Sequence, residues 1–176
     1  MTSFNIARQK GELAEEIVTP YLESKGFIVY RPITEGAHAF DGMAIRDKKE
    51  SIAYDVKAKP RLNYIPGTGV DEKHFKIYSD FSKRHNMPFW IFFVDEHMGS
   101  VYGNEIKELE KPVQEGGRTF PYLINKETIR VWHLSSMITI GNITSEEQRS
   151  LVELSQRNYK YDFTPGGVTD GTQGDI

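Results

Sequence analysis

The sequence has no cysteine among its 176 residues, which excludes disulfides, thiolate metal sites and cysteine nucleophiles. Its five histidines are scattered without ligand-like spacing, and no serine-centred catalytic triad is recognisable. No apolar run approaches the roughly 18 residues that a membrane span requires. The N-terminus also lacks the apolar segment of a secretory signal. We therefore expect a cytoplasmic protein that does not associate with membranes.

An excess of positive charge is also missing, because the formal net charge is −3. This balance argues against a protein that coats nucleic acid by charge alone, although it permits a local basic patch. The hydrophobic fraction of 38% and the aromatic fraction of 12% are ordinary for a globular protein. We predict a single domain over residues 1–162, followed by a flexible glycine-rich tail over 163–176.

Helical and extended hydrophobic patterns alternate along the chain and predict an α/β fold. The predicted helices run from about residues 5–8 to 25, over 71–86, over 104–110, and from Thr144 onward. The predicted strands cover 27–33, 40–46, 50–58, 88–96, 100–103 and 128–134. The proline- and glycine-rich segment 59–71 is predicted to be a loop. Thr144 and Glu147 have the spacing of a capping box, which is typical of a helix start.

Two acidic side chains lie on one predicted β-hairpin, within the stretch FDGMAIRDKKESIAYDVKAK (residues 40–59). A three-residue turn would pair Asp41 directly with Asp55, with Cβ atoms about 4.5–5.5 Å apart. Two carboxylates at that distance repel each other unless a cation lies between them. Lys57 follows Asp55 by two residues and so projects from the same face. A two-residue turn would instead place Asp41 opposite Val56, so the interpretation depends on the register.

A third acid is available from the first helix, where Glu15 lies at the edge of the apolar stripe. Three carboxylates form an all-oxygen site of the kind that magnesium or manganese prefers. A lysine beside them can hydrogen-bond an attacking water and offset charge that develops on a phosphate. The combination indicates metal-dependent phosphodiester hydrolysis.

The segments GELAEE, GFIVYR, FDGMAI and YDVKAK resemble the PD-(D/E)XK nuclease superfamily, and within it the archaeal Holliday junction resolvases. The resemblance covers roughly the first 60 residues. It implies a restriction-endonuclease-like fold, in which helices flank a mixed central β-sheet. It also implies that Glu15, Asp41 and Asp55 bind magnesium, with manganese as a substitute, while Lys57 assists the attacking water. Phe40 occupies the place of the name-giving proline, and Asp55 fills a position more often held by glutamate.

Other residues are candidates for supporting roles. Lys59 and Arg61 follow the active-site strand and are predicted to contact DNA phosphates. In related nucleases the next helix presents polar side chains to the site, which makes His74 and Tyr78 candidates for supporting the metal ligands. The structural alternative, which we favour, places Tyr78 in the core and His74 on the surface. For the basic segment 83–85 we favour a role in complementing the helix dipole over DNA contact.

The sequence thus predicts a metal-dependent nuclease that acts on DNA, with RNA left open as a substrate. No sequence-reading domain is recognisable, which favours a structure-selective or nonspecific endonuclease. The alternative is a catalytically inactive module that keeps the nuclease fold and binds nucleic acid or another protein. Because a symmetric junction requires two cuts, the resemblance also allows a homodimer.

Overall fold

The computed structural model describes residues 3–32, 39–47, 50–62 and 64–155. None of the helices within these ranges combines the length and the hydropathy needed to cross a membrane. The predicted boundary between the domain and the tail, at residue 163, lies outside the described residues. In chain order the elements are α1 (Ser3–Ser24), β1 (Ile28–Tyr30), β2 (Gly42–Arg46), β3 (Glu50–Ala58), β4 (Gly67–Asp71), α2 (Glu72–His85), β5 (Phe89–Asp95), β6 (Ser100–Glu105), α3 (Ile106–Leu109), β7 (Val113–Glu115), β8 (Arg118–Phe120), β9 (Tyr122–Ile124), β10 (Ile129–His133), a 3-10 turn (Leu134–Ser136), β11 (Ile138–Asn142) and α4 (Ser145–Glu153).

The central sheet has six strands in the order β1-β2-β3-β5-β6-β11. β3 and β5 are parallel, whereas the other neighbouring pairs are antiparallel. A parallel pair needs a crossover connection, which β4 and α2 provide between these two strands. β5 is buried along nearly its whole length because both of its faces are covered. The predicted α/β fold, with helices flanking a mixed central sheet, is confirmed.

The two faces of the sheet carry separate hydrophobic clusters. α1 and α4 pack against the face that contains Ile52, Tyr54 and Val56 of β3. The opposite face, which includes Ala53, is covered by α2, α3 and a second sheet with the strand order β4-β10-β9. Because side chains alternate along a strand, Asp55 projects toward the α2 side.

The prediction was wrong for the end of segment 59–71, which forms β4 and pairs with β10 instead of continuing as a loop. The glycines that suggested a turn allow a close approach between these strands. A Cβ atom on Gly69 would lie 2.3 Å from the carbonyl oxygen of Arg130, and one on Gly67 would lie 2.6 Å from that of Trp132. Glycine is therefore needed for packing at these positions. The prediction also omitted the strands β7, β8, β9 and β11.

The start of the last helix was predicted correctly. The Glu147 amide donates to Thr144 Oγ1 at 3.2 Å, and the Thr144 amide donates to Glu147 Oε2 at 2.7 Å, which completes the capping box. Asp71 precedes α2 at the N-cap position, but its side chain makes no capping hydrogen bond.

Candidate functional site

The hairpin formed by β2 and β3 has the register that the three-residue turn predicts. Its ladder pairs Arg46 with Glu50 at one end and Gly42 with Tyr54 at the other. Asp41 lies one residue beyond the last of these pairs. Its amide donates to the Tyr54 carbonyl at 3.1 Å, and its Oδ2 accepts the Val56 amide at 2.6 Å. The Asp41 carboxylate is therefore held against the backbone of β3, directly after Asp55.

Asp55 is a buried carboxylate that is only 3% exposed. Its Oδ2 lies 2.7 Å from Lys57 Nζ, and a hydrogen bond from the Tyr78 hydroxyl lowers the pKa of the carboxyl. Burial raises the pKa of Asp55 to about 6 against the opposing charge of Lys57, and the charge of Asp41 adds to the rise. The acids therefore repel each other, as the register predicted, and the lysine offsets part of that repulsion.

Glu15 reaches the same group of charges from α1. Its pKa is raised to about 7, first by burial and then by the charge of Asp41, with Asp55 adding a smaller rise. Arg31 opposes this shift. The three predicted acids are thus electrostatically coupled, although they come from opposite sides of the sheet.

The electrostatic coupling of Glu15, Asp41 and Asp55 does not by itself make them a preformed metal site. Within residues 3–32, 39–47, 50–62 and 64–155, no group of three histidine, aspartate or glutamate side chains is arranged to hold a metal ion. Asp41, Asp55 and Glu15 do fit a hard divalent cation in their chemistry, since all of their donor atoms are oxygens and the charge of Asp41 disfavours ionisation of both Glu15 and Asp55. A cation that accepted these ligands would therefore relieve the repulsion among them.

Tyr78 and His74 lie one turn apart on α2 and differ sharply in burial. Tyr78 is 2% exposed, stacks on Phe89 with ring centroids 4.5 Å apart, and donates its hydroxyl to Asp55. It is therefore part of the core and also a contact of the buried carboxylate. The side chain of His74 is 49% exposed, and its Nδ1 lies 3.6 Å from Asp71 Oδ2. Its ring stacks on Tyr78 with centroids 6.4 Å apart.

Lys59 and Arg61, the residues predicted to contact DNA, have partners inside the protein. Lys59 Nζ donates to the Gly69 carbonyl in β4. Arg61 Nε donates to Asp95 Oδ2 at 2.6 Å, and its Nη2 lies 3.2 Å from Ser100 Oγ. These bonds attach the segment after β3 to the two sheets. A role of either side chain in DNA binding stays a prediction.

Arg31 is a residue whose position the sequence analysis did not interpret. It follows β1, donates to Thr19 Oγ1, and opposes the rise that burial causes in the pKa of the Tyr54 hydroxyl. Its positive charge lies close enough to Glu15 to lower the pKa of that acid. The arginine ends the segment GFIVYR, one of the four segments that resemble the nuclease superfamily. Its position in that segment was the available indication of a role at the site.

A solved structure with a similar fold is that of Hjc, a Holliday junction resolvase from the archaeal hyperthermophile Archaeoglobus fulgidus. The two proteins superpose with a TM-score of 0.50 and share 15% sequence identity, over 72% of this chain and 90% of the resolvase chain. No family profile and no curated protein matches the sequence. At this level of identity the likeness concerns the fold alone. The chain therefore has the nuclease-like α/β fold of this resolvase.

Proposed function

We propose that the protein is a divalent-metal-dependent nuclease of the PD-(D/E)XK superfamily that cleaves DNA. The observation that carries the proposal is the buried Asp55 carboxylate, which is paired with Lys57 at 2.7 Å and lies beside a second aspartate. Burial raises the pKa of Asp55, and the charge of Asp55 raises the pKa of Glu15. Groups with pKa values perturbed in this way concentrate at functional sites. Similarity to a Holliday junction resolvase supports DNA as the substrate.

Asp41, Asp55 and Glu15 would hold the metal ion, with magnesium as the expected ion and manganese as a substitute. When bound, such an ion supplies Lewis-acid polarisation of the phosphate and makes a bound water acidic near neutral pH. Lys57 is 28% exposed at its side chain, so its ammonium group can meet both the site and the solvent. It would orient the attacking water and offset the charge that develops on the phosphate. Tyr78 would hold Asp55 in a fixed orientation.

Cleavage of a labelled DNA panel tests the proposal. Single strand, duplex, flap and four-way junction are each incubated with magnesium, manganese or EDTA. Asp55→Asn should abolish metal-dependent cutting. Asp47→Asn is the matched control, because Asp47 is an exposed residue in the turn of the same hairpin. An Asp55→Asn protein that cuts as well as the parent would refute the proposal. The substrate that is cut fastest would also distinguish a structure-selective from a nonspecific endonuclease.

The second candidate function is an inactive module with a nuclease fold that binds nucleic acid or a protein. The observation that favours it is the lack of a three-acid metal group among the described residues. Calorimetric titration with magnesium and manganese separates the candidates. An inactive module should bind DNA without metal dependence and cut neither the DNA panel nor RNA.

A homodimer, which a symmetric junction would require, stays a prediction that analytical ultracentrifugation tests.

A further inference from the structure

The helix α2 covers the side of the sheet on which Asp55 lies. Its inner side packs on the sheet through Phe75, Tyr78 and Ser79, and the Tyr78 hydroxyl contacts Asp55 directly. The outer side of α2 therefore lies above the acidic site, with one helix thickness between them. Four exposed basic side chains project from the outer side and its flank, and we call them the α2 basic face: Lys73, Lys76, Lys83 and Arg84.

Helix-dipole complementarity explains only part of the α2 basic face. Lys83 and Arg84 lie in the last turn, where positive charge is favourable. Lys73 lies in the first turn, where a positive charge is unfavourable. Lys76 Nζ is 3.7 Å from Glu72 Oε1, but the Glu72 carboxylate already accepts hydrogen bonds from Nε and Nη2 of Arg130, at 2.7 and 2.9 Å. The helix dipole therefore does not account for the basic residues at the N-terminal end, which remain available to bind an anion.

The helices on the other side of the sheet have the opposite charge. The outward side chains of α1 and α4 include more acids than bases, and the exposed acids there are Glu12, Glu16, Glu23, Glu146 and Glu153. On α2 the exposed acid is Asp80, against four exposed bases. The net charge of −3 therefore conceals a polarity across the sheet. A polyanion would be repelled from the α1 and α4 side and attracted to the α2 side.

We propose that the α2 basic face is a DNA-binding surface that contacts the phosphate backbone of a duplex outside the acidic site. The inference rests on the proposed function, because it assigns a docking surface to the same substrate. Lys73 and Arg84 are separated by about 16 Å along the helix axis. Phosphates of one strand rise by about 3.4 Å along the duplex, so the face spans roughly five of them. Such contacts position a duplex without reading its sequence.

The other basic candidates near the site are engaged elsewhere, which strengthens the assignment to α2. Lys59 donates to a backbone carbonyl, and Arg61 is held by the buried Asp95. A duplex that used Arg61 would have to break its ion pair with a fully buried carboxylate, which is costly. The α2 side chains carry a smaller cost, because they are exposed and the contact of Lys76 with the buried Glu72 is long, at 3.7 Å.

The test is duplex DNA binding measured by fluorescence anisotropy in EDTA, so that no cleavage occurs, across a series of salt concentrations. Lys73→Gln combined with Arg84→Gln removes two charges from the α2 basic face. Arg8→Gln combined with Lys25→Gln removes two exposed charges from α1 and the residues after it. The first double variant should lower the slope of log affinity against log salt by about 0.9 for each lost phosphate contact. Affinity near 0.1 M salt should fall roughly tenfold per contact, while the control variant should match the parent.

Equal losses in the two double variants, an unchanged salt slope, or binding of RNA without binding of duplex DNA would each overturn the inference. The outcomes separate it from the proposed function. A protein that cuts DNA while the α2 variant keeps the parental salt slope retains the function and loses the surface. A protein that binds duplex DNA through α2 but cuts nothing retains the surface and loses the function. Thermal melting of both variants verifies that they remain folded.

Discussion

The strand β3 presents two different environments on its two faces. Toward α1 and α4 it contributes Ile52, Tyr54 and Val56 to a cluster made almost entirely of apolar side chains. Toward α2 it contributes Asp55 and Lys57, an ion pair within an otherwise aromatic surrounding. The first face stabilises the fold through burial of apolar area, whereas the second buries charge and so opposes stability. Substitutions on the two faces should therefore separate stability from activity.

The largest difference is expected between Lys57, which lies on the α2 face of β3, and Lys59, which directly follows the strand. Lys57→Ala should lower the single-turnover rate of DNA cleavage by about 10²–10³-fold, because a positioned cation no longer meets the developing charge. Lys59→Ala removes the same side chain two residues along, where its Nζ binds the Gly69 carbonyl. At saturating DNA that control should keep most of the parental rate, because a phosphate contact by Lys59 would change the affinity for DNA and leave the bound-state rate unchanged. Similar losses in both variants would show that positive charge on this face matters in general and that Lys57 has no special role.

The next difference concerns stability on the two faces of β3. Val56→Ala deletes buried methyl groups and should lower the free energy of unfolding by about 1–3 kcal/mol. Asp55→Asn at pH 8 in EDTA should raise it by about 1–3 kcal/mol, because each unit of raised pKa corresponds to about 1.4 kcal/mol. Urea denaturation measures both. Magnesium should stabilise the parent and not Asp55→Asn. If both substitutions destabilised the protein equally, the contrast between the faces would fail.

A smaller effect is expected in the pH dependence of stability without metal. Asp55 and Glu15 have pKa values of about 6 and about 7 in the folded chain, above their ordinary values of 3.8 and 4.5. The folded state thus binds their protons more tightly than the unfolded state. Their stabilising contribution is complete below about pH 4 and is lost as the pH rises through 6 and 7.

Glu15→Gln isolates the upper part of that pH window. Urea denaturation of this variant should show a loss of stability that ends near pH 6, whereas the loss in the parent continues to about pH 7. Glu16→Gln changes a neighbouring exposed acid on the same helix and should behave like the parent. If the Glu15→Gln curve coincided with the parental curve, the coupling between α1 and the two aspartates would be absent.

Much of the acidic site could be predicted because it depends on local rules. Strand alternation and turn length set the β2–β3 register, and that register brings Asp41 next to Asp55. The periodicity of α1 identified Glu15 as the acid at the edge of the buried stripe. These relations involve neighbours along one hairpin or one helix, for which sequence spacing is informative.

The contacts that could not be predicted join residues that are distant in sequence. Arg61 is paired with Asp95, and Lys59 with the carbonyl of Gly69, so the basic segment after β3 is used inside the fold. β4 was missed because Gly67 and Gly69 have the composition of a turn. Composition cannot distinguish a glycine that permits a turn from one that permits two backbones to approach closely.

The smallest and most specific difference is expected between two buried tyrosines on the α2 side of the sheet. Tyr78→Phe removes a buried hydroxyl that interacts with Asp55 and should lower stability by about 1 kcal/mol, whereas the Tyr102 hydroxyl has no well-formed hydrogen bond within the described residues, so Tyr102→Phe should change stability little. The Tyr78 hydroxyl also lowers the pKa of Asp55 by hydrogen-bonding its carboxylate, whereas Tyr102 interacts with Thr68 and Arg61. Tyr78→Phe should therefore raise the pH at which cleavage begins, and Tyr102→Phe should leave it unchanged. A pH–rate profile of the parent and both variants measures this. Equal profiles would restrict Tyr78 to core packing, and a shift confined to Tyr78→Phe would identify it as a residue that positions Asp55.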